Sequence, residues 1–547
     1  MRKLLLIVSL FVATGSAAQE LTPLDRTSIY RRSFTARYEL TGEVPVREAA
    51  LSPDSTKVGF VRDNDLFLRD IATGVETRLT SDGERNHIIN GATDWVYEEE
   101  YAFTRAWEWS PDGRSIAWLR FDETLVPEFS MMRYDGGLYP APYTFKYPKA
   151  GEANSVVTLH VYDLEDGLSR QVETGAETDQ YIPRIGWTPA GQLFFYRVNR
   201  LQNRFEVVLG DGRVIYDESS PTYVERPDEN TVTFQPDGRH FVVRNETRTG
   251  RWEEYLYSVE GGFVESLSVD AEKDVAPLGI DYWNERVARG EITDGREFFS
   301  FPNDDGVELF GWMLKPEGFD PARKHPVFMT QYSGPGSRSV CVERIGAGDM
   351  SIYRPLLDAG YIVACVDPRG TGGRGEAFKK STYGALGKLE TEDQIAAARW
   401  LAQKPWVDSA RIGIYGWSYG GFIALNSVLK GADVFAAAVA VAPVTSWRFY
   451  DTIYTEIYNG LPSQNPAGYD NNSPINYAGL LQGRLLLVHG TGDDNVHVQN
   501  SYEMARALVA ADRRFDMMIY PDDNHSMRPS GSTHIRQKIV AWVLENL

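Results

Sequence analysis

A serine in a glycine-flanked turn constrains this chain more than any other feature. The stretch Arg411–Phe422 reads R-I-G-I-Y-G-W-S-Y-G-G-F. Its apolar part, Ile412–Tyr415, predicts a buried strand, and Gly421–Leu429 predicts a helix. The residues between them fit G-x-S-x-G, so Ser418 should lie at the end of a sheet near the positive end of a helix dipole. A hydroxyl in that position is a candidate nucleophile.

The glycines around Ser418 fit the same interpretation. A Cβ atom at these positions would clash with the neighbouring backbone of so tight a turn. The pattern alone is also compatible with an ordinary strand-to-helix turn, so the rest of the chain has to decide between the two.

From about Glu297 onward, apolar strands alternate with helical segments. The amphipathic stretches Thr391–Leu401 and Ser501–Ala511 are typical of such helices. Strand-helix alternation predicts a mostly parallel α/β sheet with its functional residues at the carboxyl ends of the strands. The predicted strands are Val327–Gln331, Ile362–Val366, Ile412–Tyr415, Ala437–Val441, Leu485–Val488 and Met517–Tyr520.

Two loops after these strands carry an acid and a base. Asp493 follows the strand Leu485–Val488, and His525 follows the strand Met517–Tyr520. The chain order Ser, Asp, His is that of an α/β-hydrolase. We therefore predict a triad in which His525 takes the proton of Ser418 and Asp493 orients the imidazole.

Other residues near the triad compete for these roles. His489 ends a buried strand and is interpreted as structural, whereas His497 and His534 lie in amphipathic stretches. Asp494 adjoins Asp493, and the residues alone do not separate the two carboxylates.

The preceding part of the chain, from about Arg31 to about Ala288, reads as β-structure. Four similar turn phrases recur there, each followed by a short apolar strand, and repeats of this kind predict a β-propeller. Unrelated hairpins that share a common turn are the alternative. The phrases are Leu51–Ser55, Trp109–Gly113, Trp187–Gly191 and Phe234–Gly238, and the strands are Val58–Val61, Ile116–Leu119, Leu193–Tyr196 and Phe241–Val243.

Composition excludes several classes of function. The formal net charge of −20 argues against nucleic acid or an anionic membrane surface as a partner. The two cysteines exclude a disulfide scaffold. No zinc-ligand or P-loop motif is visible, so we expect neither a metal nor an organic cofactor.

The amino-terminal residues predict export. Met1–Lys3 is positively charged, a short apolar run follows, and small residues precede a cleavage site after Ala18. We expect residues 1–18 to be a signal peptide and the mature protein to be periplasmic or secreted, with no later membrane span. Residues 19–290 should form the propeller domain and residues 291–547 the hydrolase domain.

A run of carboxylates inside the β-region admits two interpretations. Asp94–Tyr101 reads D-W-V-Y-E-E-E-Y, with aromatic residues on both sides of the acids. Such a run is usually a solvated face, but partly buried carboxylates would need a cation. The residues alone leave both possibilities open.

Taken together, these motifs resemble dipeptidyl peptidase IV and its bacterial relatives in the prolyl oligopeptidase family of serine peptidases. The motif Gly416–Gly421, the loop His489–Val496 and the acidic run Asp94–Glu100 carry the resemblance, which extends over nearly everything after about Tyr30. It implies that Glu99 and Glu100 bind the protonated α-amine of a substrate.

The resemblance also implies the remaining site residues. Arg31 and Asn495 would hold the P2 carbonyl, and Tyr332 would join the Tyr419 backbone N–H in the oxyanion hole. A flat P1 pocket for proline or alanine would be formed by Tyr419, Val444, Trp447, Tyr450, Tyr454 and Val496. The implied substrates are peptides with Pro or Ala in second position, and the implied assembly is a homodimer.

The chain departs from the family pattern in the propeller. Its β-region is too short for the family's eight blades, so fewer blades are expected. A tripeptidyl, acyl-aminoacyl or endo-acting peptidase of the same family is the nearest alternative. A non-catalytic protein with a defective propeller and a generic esterase are the others.

Overall fold

The computed structural model describes residues 46–134, 137–245, 253–267, 280–341, 343–528 and 530–547. Arg31 and the predicted signal peptide lie outside these ranges. The chain forms two compact units. Of the described residues, those up to Leu125 form the N-terminal unit together with Ser155–Tyr196 and Val208–Arg213, and those within Val126–Asn154, Arg197–Val207 and Val214–Leu547 form the C-terminal unit.

The β-rich region contains short strands. They are β1 (Arg47–Leu51), β2 (Lys57–Arg62), β3 (Asp65–Asp70), β4 (Glu76–Arg78), β5 (Ile88–Asn90), β6 (Trp107–Trp109), β7 (Ser115–Asp122), β8 (Glu128–Arg133), β9 (Ala141–Lys146), β10 (Val156–Asp163), β11 (Ser169–Val172), β12 (Gln180–Tyr181), β13 (Ile185–Trp187), β14 (Leu193–Asn199), β15 (Arg204–Leu209), β16 (Val214–Ser219), β17 (Val232–Phe234), β18 (His240–Asn245), β19 (Glu253–Ser258) and β20 (Phe263–Leu267).

These strands build the sheets expected of propeller blades. Their orders are β1-β2-β3-β4, β11-β10-β7-β5 with β6 also on β7, β12-β14-β15-β16 with β13 also on β14, and β17-β18-β19-β20. A separate ribbon pairs β8 with β9. The described part of the chain thus contains four sheets of blade size, and the number of blades in the whole chain stays a prediction.

The recurring phrases are the turns between the paired strands of each blade. They join β1 to β2, β6 to β7, β13 to β14 and β17 to β18. In the first, Asp54 Oδ1 accepts the Ser52 hydroxyl at 2.7 Å and the Thr56 N–H at 3.0 Å. The same pattern recurs at Asp112. Hydrogen bonds from Ser52 and Thr56 lower the pKa of Asp54 to about 2, so the turn is held by a carboxylate.

The C-terminal unit contains one mixed sheet of the order β21-β22-β24-β23-β25-β26-β27-β28. Its strands are β21 (Glu297–Pro302), β22 (Glu308–Leu314), β23 (His325–Thr330), β24 (Ile362–Asp367), β25 (Val407–Trp417), β26 (Ala437–Val441), β27 (Arg484–Gly490) and β28 (Asp516–Tyr520). All six predicted strands are present. From β24 onward in this order the strands run parallel.

The helices of the chain are α1 (Trp95–Glu100), α2 (Ile280–Ala288), α3 (Ala347–Asp358), α4 (Glu376–Lys379), α5 (Leu389–Ala402), α6 (Tyr419–Lys430), α7 (Thr452–Asn459), α8 (Pro466–Asp470), α9 (Gln499–Ala510) and α10 (His534–Asn546). The predicted helices around Ser418, Thr391 and Ser501 are confirmed as α6, α5 and α9. Strands β23, β24 and β26 are buried along their whole length, as parallel strands covered on both faces must be.

The end of the predicted β-region is wrong. Residues 280–288 form helix α2, whose Trp283 is buried and stacks on Phe298 of β21. The spacing of Ile280, Trp283 and Val287 places three apolar residues on one face of the helix, and Trp283 is the one that is buried. The domain boundary near residue 290 stays a prediction.

Candidate active site

Ser418 lies between the end of β25 and the start of α6. Its backbone adopts φ 59° and ψ −118°, a conformation that L-residues other than glycine rarely adopt. The Ser418 N–H donates to Val441 O of the neighbouring strand at 2.8 Å, and Ser418 O accepts the Phe422 N–H of the helix at 3.0 Å. The turn is therefore held from both sides in a strained geometry that projects the serine side chain.

The glycines of the motif are required by close backbone approaches. A Cβ atom on Gly416 would lie 2.2 Å from Gly420 O, and one on Gly420 would lie 2.6 Å from Gln331 O. A Cβ on Gly421 would lie 2.8 Å from Val441 O. The predicted steric reason for these glycines is confirmed.

Asp493 and His525 form a buried hydrogen-bonded pair. His525 Nδ1 lies 2.8 Å from Asp493 Oδ2, and the N–H groups of Asn495 and Val496 donate to Asp493 Oδ1 at 3.1 and 3.0 Å. Burial alone would raise the pKa of Asp493, but the charge of His525 and hydrogen bonds from His489 and His525 hold this pKa well below its usual range. An ionised Asp493 fixes the proton of His525 on Nδ1 and leaves Nε2 as a base.

Two further contacts position the pair. The Trp417 Nε1–H, next to Ser418, donates to the backbone carbonyl of His525 at 2.9 Å. His489 Nε2 lies 3.2 Å from Asp493 Oδ2. The interpretation of His489 as only structural missed this second contact with the acid.

Tyr332 follows strand β23 and lies beside the start of α6. Its ring centroid is 6.0 Å from that of Tyr419, and its side chain is 40% exposed. The Gln331 side-chain amide donates to Gly420 O at 2.8 Å, which fixes the strand end against the helix start. A phenol and the first helical N–H groups are donors suited to an oxyanion.

The structure brings the six predicted P1 residues into one apolar cluster with Phe422 and Tyr223. Trp447 and Tyr454 stack at 5.9 Å between ring centroids, and Tyr450 meets Tyr454 edge to face. The six predicted P1 residues in this cluster are Tyr419, Val444, Trp447, Tyr450, Tyr454 and Val496. Flat aromatic walls of this kind suit a compact apolar ring.

One wall of this cluster ends in a buried acid that the sequence did not suggest. The Tyr419 hydroxyl donates to Glu390 Oε1 at 2.6 Å, and the Gly387 N–H donates to Glu390 Oε2 at 3.0 Å. Burial raises the pKa of Glu390 to about 7. Glu390 fixes the ring of Tyr419 and with it the shape of the cluster.

Asn495 is held at both of its carbonyl oxygens. The Tyr450 hydroxyl donates to Asn495 Oδ1 at 2.6 Å, and the Tyr147 hydroxyl donates to Asn495 O at 3.0 Å. Because Oδ1 accepts from a hydroxyl, the amide is oriented and its Nδ2 is the group that could donate to a carbonyl of a ligand. Tyr147 belongs to residues 126–154, which the sequence predicts as part of the propeller domain and which pack in the C-terminal unit.

In the N-terminal unit, Glu99 and Glu100 are half-buried at the end of the short helix α1. Asp94 caps this helix by accepting the Tyr97 N–H at 3.0 Å, and Asp94 in turn accepts the Ser155 hydroxyl at 2.6 Å. At the other end, Arg184 donates to Tyr101 O at 3.0 Å. The acids thus sit on a helix turn that is fixed at both ends.

Within the described ranges, no group of three His, Cys, Asp or Glu side chains could hold a metal ion. No helix in the same ranges is long and apolar enough to cross a membrane. Arg31 lies outside the described residues, so its predicted contact with a P2 carbonyl stays a prediction.

Both parts of the chain are similar to known proteins. Residues 21–287 match the dipeptidyl peptidase IV N-terminal region, and residues 349–547 match the prolyl oligopeptidase family. Probable dipeptidyl-aminopeptidase B of Talaromyces marneffei is 32% identical over 93% of this chain and 70% of the relative. The protein of the same name from Phaeosphaeria nodorum is 31% identical over 94% and 71%.

Two solved structures are also similar. Dipeptidyl peptidase 4 of Porphyromonas gingivalis superimposes with a TM-score of 0.86 at 34% identity, over 97% of this chain and 88% of that one. A putative dipeptidyl aminopeptidase IV of Bacteroides ovatus gives a TM-score of 0.80 at 25% identity, over 92% and 84%.

Proposed function

Since the chain belongs to the prolyl oligopeptidase family and is a serine-type dipeptidyl peptidase, we propose that it releases X-Pro dipeptides, and less readily X-Ala dipeptides, from the amino end of peptides. The reaction proceeds through an acyl-enzyme on Ser418. The observation that carries this proposal is the contact of 2.8 Å between His525 Nδ1 and Asp493 Oδ2, on loops that follow β27 and β28 of the sheet whose strand β25 leads to Ser418.

The proposed chemistry follows from the orientation of the pair. Ser418 Oγ attacks the carbonyl carbon of the second residue while His525 Nε2 takes the serine proton, and Asp493 stabilises the imidazolium. The Tyr332 hydroxyl and the Tyr419 N–H donate to the oxyanion. His525 then gives its proton to the departing amine as the C–N bond breaks. A water molecule, deprotonated by His525, next attacks the ester carbon of the acyl-enzyme, which releases the dipeptide and restores Ser418.

Glu99 and Glu100 are proposed to select the length of the product. Two carboxylates can bind one protonated α-amine through charge-assisted hydrogen bonds. Arg31 and the oriented amide of Asn495 are proposed to hold the P2 carbonyl. A substrate fixed at its amine and at this carbonyl presents the bond after its second residue to Ser418.

The P1 specificity is proposed to come from the aromatic cluster. In this proposal, Tyr419, Trp447, Tyr450 and Tyr454 provide flat walls for the P1 side chain, and Val444 and Val496 close the space between them. Proline fills such a space with a rigid ring, and alanine enters with less apolar contact. Release of X-Pro should therefore exceed release of X-Ala.

The first experiment measures p-nitroaniline release from Gly-Pro-p-nitroanilide by the mature protein and by Ser418→Ala. We expect turnover by the wild type and none by the variant. A monodisperse, folded wild type that does not act on this substrate would contradict the proposal. Turnover of a substrate with a blocked amino end, or of Ala-Ala-Pro-p-nitroanilide in preference, would indicate an acyl-aminoacyl, endo-acting or tripeptidyl peptidase instead.

The role of the acidic helix has its own test. Glu99→Gln and Glu100→Gln should raise the KM for Gly-Pro-p-nitroanilide by tenfold or more, about the effect of one lost charge-assisted hydrogen bond. Their reaction with a small serine-directed phosphonate should not change, because this reagent has no amine. Glu98→Gln on the same helix is the matched control. Unchanged dipeptide release in both variants would contradict the proposed role.

Export and assembly are further proposals. Cleavage of residues 1–18 as a signal peptide should give a mature protein in the periplasm or medium that begins near Gln19, which mass spectrometry of the processed chain can check. A homodimer is proposed from the family resemblance, and sedimentation of the active protein tests it. Neither a metal nor an organic cofactor is proposed for the reaction.

A further inference from the structure

We propose that His489 is a positioning residue of the triad, which shares the carboxylate oxygen of Asp493 with His525 and thereby limits the basicity of His525. The inference rests on the proposed roles of Ser418, Asp493 and His525 in the reaction. It adds a second imidazole to the acid of the triad.

The first step of the argument is the protonation of His489. Its Nε2 lies 2.7 Å from Val496 O and 3.2 Å from Asp493 Oδ2, and both of these atoms are acceptors. Its Nδ1 lies 2.7 Å from the Ser501 hydroxyl, which can donate to it. Nε2 must therefore carry a proton, which it donates to Val496 O, and the same N–H group lies close enough to Asp493 Oδ2 for its positive end to attract the charge of the carboxylate.

The second step is the competition for one oxygen. Asp493 Oδ2 also faces His525 Nδ1 at 2.8 Å, whereas Oδ1 accepts two backbone N–H groups. His489 and Asp493 are completely buried, so water does not screen the contact. A donor from His489 draws part of the negative charge of Oδ2 away from His525 and lowers the stability of its imidazolium.

The third step concerns the other titratable groups around the acid. His497, on the same loop, stacks on Phe129, and burial and the charge of Lys149 hold the pKa of His497 well below its usual range. It therefore stays neutral while the enzyme works. Asp494 and Asp523 lie on the two triad loops. Among these groups, His489 is the one that touches the same oxygen of Asp493 as His525.

The test compares two substitutions of His489. His489→Gln keeps a side-chain N–H that can reach Asp493, and His489→Phe removes it. We expect His489→Phe to raise the apparent pKa of the acid limb of kcat/KM by about half a pH unit or more, since a stronger pairing with Asp493 favours the imidazolium. Its kcat should fall at least about tenfold because Asp493 is less well fixed. His489→Gln should retain the wild-type acid limb.

A merely structural His489 would give a different result. If His489→Phe lowers activity without moving the acid limb, or if His489→Gln moves it as far, the proposal is wrong. The rate of Ser418 modification by a small phosphonate is measured over the same pH range. This rate depends only on Ser418 and the triad, so it tests His489 even if Gly-Pro-p-nitroanilide is not a substrate.

A second measurement follows the wild type directly and needs a variant only to assign the signal of His489. In protein labelled with ¹⁵N at its histidines, the signal lost in His489→Gln, or assigned through Asp493→Asn, identifies His489. We expect its Nε2 to be protonated throughout and its shift to change with the same midpoint as His525. An unprotonated Nε2, or a shift that ignores the titration of His525, would overturn the proposal.

Discussion

Two buried carboxylates, Asp94 in the N-terminal unit and Asp493 in the C-terminal unit, have opposite ionisation properties. Asp94 accepts a hydroxyl and a backbone N–H, and burial raises its pKa to about 6. Asp493 is as deeply buried, yet the charge of His525 and the hydrogen bonds from two imidazoles hold its pKa below the usual range.

The difference shows how burial changes the pKa of a carboxyl group when no cation is near and when one is. Neutral donors give the oxygens of Asp94 hydrogen bonds, but these bonds do not compensate the free energy that a carboxylate loses when it is removed from water. At Asp493, the imidazole donors compensate this loss. The carboxyl group that caps a helix is partly neutral at mildly acid pH, whereas the carboxylate of the proposed triad remains ionised beside His525.

The largest expected effect is at the charged carboxylate. Asp493→Asn should lower kcat on Gly-Pro-p-nitroanilide about 10⁴-fold, because an amide no longer fixes the proton of His525 on Nδ1. Asp494→Asn is the matched control, since the sequence did not separate the two acids, and it should lower kcat less than about tenfold. Equal losses in both variants would argue against the assignment of Asp493.

The stability of the fold should depend on pH through Asp94. Its pKa is about 6 in the folded protein against 3.8 as the reference. Protonated Asp94 therefore makes its full contribution to the free energy of unfolding below about pH 4. This free energy falls by up to about 3 kcal/mol as the pH rises through 6 and Asp94 ionises. The Tm of Asp94→Asn, measured relative to the Tm of the wild type, should therefore rise between pH 4 and pH 8. A constant difference would show that Asp94 is not the titrating group.

Loss of the helix cap should affect substrate binding rather than chemistry. Asp94→Ala removes the acceptor for the Tyr97 N–H, which costs about 1 kcal/mol, and it should raise the KM for Gly-Pro-p-nitroanilide roughly five- to tenfold. The rate of reaction with a small phosphonate should stay the same. Asp94→Asn, which keeps an acceptor oxygen, is the control with near-normal KM at neutral pH. An equal fall in the phosphonate rate would contradict a role confined to α1.

The smallest effect is expected at Tyr147. Tyr147→Phe removes one hydrogen bond to Asn495 O, worth about 1 kcal/mol, and should raise KM up to about fivefold. Tyr139→Phe is the control from the same segment, because Tyr139 is 85% exposed. An unchanged KM in Tyr147→Phe would show that Tyr450 alone positions Asn495.

Much of the site follows from local sequence. Ser418 directly follows β25, and Asp493 and His525 follow β27 and β28 within three and five residues, so strand order and chain order together indicate the triad. The blade turns are equally local, since Asp54 and Asp112 bond to residues two positions away. Such patterns can be predicted because the partners are neighbours in the chain.

Contacts across the fold left no such signal. Tyr147 and Asn495 are 348 residues apart, and Tyr419 and Glu390 are 29 apart. The contact of His489 with Asp493 spans one strand end and a loop whose path the sequence does not give. Helix α2 did leave a signal in the spacing of Ile280, Trp283 and Val287, and the expectation of continuous β-structure obscured it.

The backbone of Ser418 has a consequence for how such a chain can change over time. A non-glycine residue at φ 59° and ψ −118° costs of the order of 1–3 kcal/mol. Glycine adopts this geometry without that strain, so a chain no longer selected for catalysis could gain thermal stability by losing the serine. The proposed role of Ser418 as the nucleophile explains why serine rather than glycine occupies this strained position.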